Sequence, residues 1–539
     1  SEVISILHIV DIHMRLPFHL FILFACAHSF KILVYIPKFA VSHINFMGKI
    51  ADTLVEAGHD VTVLISEMDS SLNDGTSKAR IVRISPAEKA NDMNNHFAET
   101  KGDIFDRDFG SYSEMMENAR SNSVSFSRQC RKLLTTPGLV EQLKDVNYDA
   151  VIAESLDNCG VGLSHLISAR ALIPVSSTLL YATAAFGLHP SLITEHSVVE
   201  DGRFHDSIWT RLKTIYLHFA GQRFWSTMNG PLQAVFEELF PGMPAFDDLL
   251  SHAAVVFSNT DPLTDFARPT LSKMVPIGGI TVPEPEPLDE HWSTILSLRP
   301  QTVLVSFGSI AKSAYLKPAR KALFLKVIAS FPNTTFIWKY ENLSDDFAMV
   351  NASKIDNVIL TDWMPQSQIL ADPRVSLFIS HAGMASCQEI SHRGVPSLLI
   401  PIFGDQIPNA AALAHVGIAK VYSKSDLMDE EKFRGAIEEM LLHQGYKQQA
   451  LTIRDQLAAR PTSPVERLVK NVEFAARFGP SKALRPLNFE LSTIQFLGID
   501  ILLIVLGINI VVLAILIYLY KRLIDILSFI KFRKHRKVE

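Results

Sequence analysis

The sequence predicts an α/β protein in which two parallel-sheet domains follow one another and a single membrane-spanning helix comes after them. Three observations carry this: two series of alternating strand and helix patterns, a proline-punctuated connector between them at GGITVPEPEPLDEHW, and a long apolar run at residues 496–520. At 539 residues, 48% hydrophobic, the chain is too long for one compact domain and has apolar content for two cores. Its formal net charge of -5 offers no surplus of Lys and Arg for tracking phosphates, which argues against a nucleic-acid partner.

The chain starts at Ser1, and Met14-Arg15 leads into LPFHLFILFACAHS, an apolar run too short to cross a bilayer. This predicts a signal peptide over 14–29, with Ala25-Cys26-Ala27 as its cleavage site and 1–13 as upstream sequence. KILVYIP opens the first domain, 30–283, as a strand. After a loop to His43, INFMGKIADTLVEA places Ile44, Met47, Ile50, Ala51 and Leu54 at helical spacing. Gly58 stands where a left-handed residue would close that helix, and DVTVLIS is the next strand. Strand, helix, strand at this spacing implies parallel pairing through a right-handed crossover. YDAVIAES reads as another buried strand ending at Glu154. From Pro86 to Leu250 the sequence is otherwise rich in Phe and Met, and no period organises it; such a composition suits an adaptable apolar pocket.

Pro283, Pro285 and Pro287 alternate along the connector, which favours an extended spacer and predicts a domain boundary there. In the second domain, 284–490, the segments QTVLVSFGS, TTFIWKY, NVILTDW, VSLFISH and VPSLLIPIFG read as strands. The apolar run at 496–520 is interrupted only by Asp500 and Asn509, and the tail KRLIDILSFIKFRKHRKVE at 521–539 is strongly basic. The positive-inside rule then places the tail in the cytosol and the body in the lumen. Acceptor sequons at Asn333, Asn342 and Asn351 agree with a lumenal body. Outside the signal lie Cys130, Cys159 and Cys387; an odd count admits at most one bridge, and no metal-ligand spacing is present. Arg536-Lys537-Val538-Glu539 resembles a dibasic retrieval signal of the endoplasmic reticulum.

Chemistry concentrates in FISHAGMASCQEISHRGVPSLLIPIFGDQIPNAA. VSLFISH delivers His381 at a strand's carboxyl end, Ala382-Gly383 turns, and a helix starts near Met384 and ends at Gly394. Ligands of parallel α/β sheets sit beyond carboxyl strand ends, where helix N-termini present free N–H groups and positive partial charge, so a diphosphate fits at residues 383–386. Ser386 adds a hydroxyl, and Glu389, a turn on, can accept from vicinal ribose hydroxyls. Ser386-Cys387-Gln388-Glu389 is equally a capping box, which alone would account for both residues. Downstream, Pro408 and Gly417 bracket a short helix and leave Asp405-Gln406 in the loop after a strand.

The block from Asp362-Trp363-Met364-Pro365-Gln366 through His381, Gly383, Glu389 and Gly394-Val395-Pro396 to Asp405-Gln406 resembles the C-terminal signature of the UDP-glycosyltransferases, specifically the animal membrane-anchored UDP-glucuronosyltransferases. Ser306-Phe307-Gly308-Ser309, SHINFMGKIADTLVEAGHDVT and the anchor with its basic tail extend the resemblance over nearly the whole chain. It implies a GT-B architecture: two Rossmann-like domains facing a cleft, the nucleotide sugar on the C-terminal domain and the acceptor on the N-terminal one. Trp363 would stack on uracil and Gln366 would bond the nucleoside. Ser309, His381, Gly383 and Ser386 would hold the diphosphate, Glu389 the ribose, and Asp405 with Gln406 the sugar hydroxyls. His43 would be the catalytic base and Glu154, where the family usually has Asp, its acidic partner. Ala385 stands where many relatives have Asn.

The expected reaction is inverting transfer of glucuronate or glucose from a UDP-sugar co-substrate to the hydroxyl or carboxyl of a small lipophilic acceptor, with no cofactor and no metal. No Arg or Lys of the signature stands out as a partner for a sugar carboxylate, which favours glucose. Asp106-Arg107-Asp108 has the look of the acidic metal pair of the other glycosyltransferase fold and is read as a solvated charged turn. A homo-oligomer is allowed. The alternatives are a non-catalytic nucleotide-sugar-binding protein, which would lack His43 or its carboxylate, and a GT-B epimerase, which would need neither acceptor pocket nor membrane span.

Overall fold

The computed structural model describes residues 29–87, 104–107, 111–178, 207–267, 270–486, 491–496 and 498–535. The signal peptide up to residue 28 with its cleavage site, Asp108 and the terminal Arg536-Lys537-Val538-Glu539 lie outside them.

The unit Ser1–Leu484 is built on two all-parallel sheets. The first runs β1 Lys31–Lys38, β2 Asp60–Glu67, β3 Arg80–Ile84, β4 Ala150–Glu154, β5 Ala171–Ser176, β6 Val256–Ser258 and β7 Met274–Pro276, in the spatial order β3-β2-β1-β4-β5-β6-β7. The second runs β8 Gln301–Ser306, β9 Thr334–Lys339, β10 Val358–Thr361, β11 Val375–Ser380, β12 Ser397–Leu399 and β13 Ala419–Val421, in the order β10-β9-β8-β11-β12-β13. Each sheet is covered on both faces. Ile32, Val34 and Ile36 enter one core and Leu33 and Tyr35 the other; Val303 and Val305 are likewise separated from Leu304. Burying such side chains on both faces, at roughly 1.5–3 kcal/mol each, is why these strands read as continuous apolar runs.

The strand order reverses between β1 and β4 in the first sheet, where Tyr35 pairs with Ala153, and between β8 and β11 in the second, where Ser306 pairs with Ser380. At such a reversal the connecting helices leave to opposite faces and open a crevice beyond the strands' carboxyl ends. His43 and Glu154 follow β1 and end β4; Ser309 and His381 follow β8 and β11.

Two local expectations need correction. The helix after β1 spans Val41–Glu56 with Ala40 as its N-cap, so His43 lies in its first turn rather than before it. No side chain caps that end, and the sequence signal begins only at the first buried residue, Ile44. Residues 86–250, unorganised by sequence, contain the long helices Tyr112–Leu134 and Ile208–Leu239. The buried stripe of the first is Met116, Ala119, Ser123, Phe126, Cys130, Leu133 and Leu134, and its serine and cysteine blur the apolar period. Cys130 is bonded to Cys159, tying that helix to Cys159–Leu166, while Cys387 is a buried free thiol. Further on, the helix Pro464–Phe478 packs Leu468, Val472, Ala475 and Ala476 into the core of the first sheet.

The unit Arg485–Glu539 is described by itself. Its helix Ile499–His535 has 37 residues, and its most apolar stretch has mean hydropathy 3.1. The apolar segment expected at 496–520 therefore begins after Gly498, whose φ is 62°, and the helix continues through most of the basic tail. At 1.5 Å per residue it is longer than the ~30 Å hydrocarbon core of a bilayer.

Candidate active site

The second sheet gathers nine of the sequence-predicted residues at its carboxyl end. After β8, Gly308 takes φ +85° and Ser309 is exposed. After β11, Ala382 takes φ 63°, a left-handed conformation uncommon for a residue with a side chain, and Gly383 caps the helix Met384–Arg393. The His381 ring fills the gap between the two turns. A Cβ on Gly308 would fall 2.6 Å from the ring and one on Gly383 2.5 Å from Nε2, so both glycines are required by the close approach. Burial, and then the charge of Lys339, hold His381 down to about 4, which makes the ring neutral at physiological pH. Its Nδ1 is buried with no hydrogen-bond partner among the described residues. Orphaned buried nitrogens are rare, and it is Nε2, at the opposite side of the ring, that faces the two turns.

Lys339, at the end of β9, donates from Nζ to the Gly308 carbonyl at 3.1 Å. It is a cation beside the Gly308 turn that sequence reasoning passed over, because it sits in an ordinary strand and outside the signature block. After β10, Trp363 is 67% exposed, the state of a platform and not of a core residue. Gln366 opens the helix Gln366–Ala371 and donates from Nε2 to Glu389 and, at 3.5 Å, to Ser386 Oγ. Burial raises Glu389 to about 7, against the hydrogen bond from Gln366 and the charge of Arg393. Because the helix is capped at Gly383, Ser386 and Glu389 lie inside it, and the capping-box reading of these residues does not hold.

Asp405 and Gln406 follow β12. The Asp405 carboxyl accepts from Asn409 Nδ2 at 2.9 Å; burial raises it, while Asn409 and the facing His43 draw it down. Gln406 is buried, and its Oε1 accepts from the N–H groups of Ile402 and Phe403 at 2.8 and 3.1 Å, so its oxygen braces the loop and its amide nitrogen is what can meet a ligand.

The first sheet supplies the facing half. His43 Nδ1 lies 3.0 Å from Glu154 Oε2, and its ring packs 4.7 Å from that of Phe39. Glu154 is 1% exposed and receives donors on every side: Ser177 Oγ–H at Oε2, and at Oε1 the N–H groups of Leu156 at 3.3 Å and Ser177 at 3.5 Å. A group so surrounded acts as an acceptor, so His43 carries its proton on Nδ1 and presents the lone pair of Nε2. Glu154, though one methylene longer than Asp, reaches the ring. Beside the ring, Met68, Ala119, Phe126 and Met228 form an apolar cluster with Phe39, Leu156, Phe224 and Trp225 packed against it. Asp106 pairs with Lys317 at 2.6 Å and Arg320 at 2.5 Å, while Phe105 beside it packs against Phe307.

A histidine held by a buried carboxyl, with glycine turns around a second buried histidine on the other sheet, has the parts of a group-transfer site. The model of the UDP-glucoronosyl and UDP-glucosyl transferase family matches residues 31–535. The chain belongs to this family. The UDP-glycosyltransferase is 28% identical over 488 residues to ugt-47 of Caenorhabditis briggsae, which carries the UDP-glucuronosyltransferase name, covering 89% of this chain and 90% of that one. To human UDP-glucuronosyltransferase 3A1 it is 27% identical over 494 residues, with 87% and 88% covered. Among solved structures it resembles Os79 of O. sativa, in complex with U2F and trichothecene, with TM-score 0.57 and 16% identity over 83% of this chain and all of that one. CalG4, the calicheamicin glycosyltransferase, gives TM-score 0.55 at 13% identity over 84% of this chain and all of that one. The fold is GT-B, and the enzyme transfers a sugar from a UDP-sugar to an acceptor.

Proposed function

We propose that this UDP-glycosyltransferase moves glucose or glucuronate to the hydroxyl or carboxyl of a small lipophilic acceptor by direct, inverting displacement, with His43 as general base. The observation that carries the reading is the 3.0 Å contact of His43 Nδ1 with Glu154, which leaves Nε2 for the acceptor, with the ring near enough to the donor-side Asp405 for their charges to interact. His43 takes the acceptor proton as its oxygen attacks the anomeric carbon, and Glu154 stabilises the imidazolium that forms. Trp363 stacks on the base, Gln366 and Glu389 hold the nucleoside, and Asp405 and Gln406 meet hydroxyls that both sugars share.

The leaving diphosphate is stabilised without a metal. Donors surround its place: the Ser309 and Ser386 hydroxyls, the N–H groups following Gly383, His381 and the Lys339 ammonium. The apolar cluster around Phe39 and Phe126 favours an aromatic or aliphatic acceptor. An intact His43–Glu154 pair speaks against a binding protein without chemistry.

The body is lumenal and the anchor lies in the endoplasmic reticulum membrane. The Cys130–Cys159 bridge belongs to an oxidising compartment, and Asn333, Asn342 and Asn351 are all exposed for glycosylation. Incubation with UDP-glucose or UDP-glucuronate and a simple phenol, read by mass spectrometry and by the anomeric proton coupling of the product, tests the assignment. A β-linked conjugate from the α-linked donor supports it; UDP release without conjugate, or a retained configuration, contradicts it.

A further inference from the structure

Beyond the dyad, Glu154 is the end of a buried line of hydrogen bonds that leaves the first sheet. Ser177 follows β5, which pairs with β4 so that Val175 lies beside Glu154, and its hydroxyl donates to Glu154 Oε2. The Ser177 carbonyl accepts from Asn259 Nδ2 at 3.1 Å, and Asn259 follows β6, the next strand over. The Asn259 carbonyl accepts from Gln388 Nε2 at 3.1 Å. Gln388 belongs to the helix Met384–Arg393, the same helix that carries Ser386 and Glu389. Glu154, Ser177, Asn259 and Gln388 are between 1% and 5% exposed.

The surroundings are shaped for this contact. A Cβ on Gly278 would fall 2.9 Å from Gln388 Nε2, so glycine there leaves room for the amide. One turn further along the helix, His392 meets Arg460 at 3.2 Å, and Arg460 pairs with Asp261, two residues beyond Asn259. The donor helix is thus fixed to the carboxyl end of β6 at two successive turns. In so dry a place each bond holds firmly, because breaking it strands a buried polar group.

We propose that Ser177 and Gln388 are positioning residues for the transfer: through Asn259 they form a hydrogen-bonded spacer from the donor-binding helix that holds the Glu154 carboxylate against His43. This rests on the reading of His43 as base and Glu154 as its orienter. The spacer couples the place of the UDP-sugar to the angle of the imidazole, so both reactants are registered against one rigid line. It also accounts for a glutamate at this position: the longer side chain has more rotamers, and the Ser177 hydroxyl selects among them.

The test is steady-state kinetics of the full chain in detergent, with a weakly acidic alcohol and an acidic phenol as acceptors. Gln388→Leu and Ser177→Ala are each made alone and in a Glu154→Gln background, with His43→Ala alongside. The spacer predicts that each single variant lowers kcat for the alcohol about 10-fold, the scale of a small misorientation, and for the phenol about 2-fold, with the donor KM within about 2-fold of wild type. In the Glu154→Gln background neither variant lowers kcat further, since groups that act as a unit are not additive. Wild-type turnover in both variants while His43→Ala is inactive overturns the spacer and leaves the dyad standing, as do equal losses in both backgrounds or losses confined to the donor KM. An active His43→Ala enzyme overturns the base assignment itself.

Discussion

Trp363 shows how a residue's cost and its use separate. With 67% of its surface in solvent it adds little to the core, so Trp363→Ala should leave the melting temperature nearly unchanged, as exposed substitutions do within about 0.5 kcal/mol. Loss of a stacking face costs base binding about 1–3 kcal/mol, which predicts a KM raised by roughly 10-fold for every UDP-sugar tested. A fallen melting temperature with an unchanged KM would make the indole structural. Glu389 carries the opposite combination. Burial raises it from 4.5 to about 7, so the free enzyme holds its proton more tightly than the unfolded chain does. The stability this contributes is complete below pH 4.5 and lost as the pH rises through 7. Ribose hydroxyls donate to the ionised form and favour it, so UDP affinity should rise with pH up to about 7 and then level. Calorimetric titration of UDP from pH 5 to 8 checks this slope, and Glu389→Gln should flatten it as well as weaken binding.

At the scale of elements, the proposed phosphate site is a matter of how closely two turns approach one ring. Gly383→Ala tolerates its backbone, with φ -62°, but sets a Cβ 2.5 Å from His381 Nε2. It should cost about 1–3 kcal/mol of stability, the usual cost of overpacking, and push the ring out of place. Loss of UDP binding, measured by titration, in a protein that still melts cooperatively is the expected outcome; unimpaired binding would show that the ring can give way. This half of the site was legible because VSLFISH and its neighbours are continuous apolar strands whose carboxyl ends must face ligand. What the sequence left ambiguous was settled by the start of one helix: capped at Gly383, it places Ser386 and Glu389 inside. The acceptor side was less legible. The helix Tyr112–Leu134 hides its core stripe behind buried serines, and Ser177 reaches Glu154 only because β5 lies beside β4, a register no local pattern announces. Lys339 was missed for the same reason, since its contact with Gly308 joins two strand ends far apart in the chain.

The whole molecule brings two strand-order reversals together, one carrying the base and the other the donor turn. A cleft so built makes three demands. With donors and Lys339 around the diphosphate, extraction of divalent cations by EDTA should leave turnover unchanged, and a loss restored by Mg²⁺ or Mn²⁺ would contradict the proposed leaving-group stabilisation. If the Ile499–His535 helix is the anchor, a chain ending before it should be released from membranes with its kcat intact, as fractionation and assay can show; retention on the membrane would place a second attachment in the body. The third demand concerns the chemistry, and the turnover of His43→Ala across a series of acceptors of decreasing acidity tests it most directly. Removal of a positioned base should lower kcat by about 10² to 10⁴ fold for weakly acidic alcohols and progressively less for acidic phenols, with UDP affinity unchanged. A His43→Ala enzyme that glycosylates a weakly acidic alcohol at the wild-type rate would contradict the account.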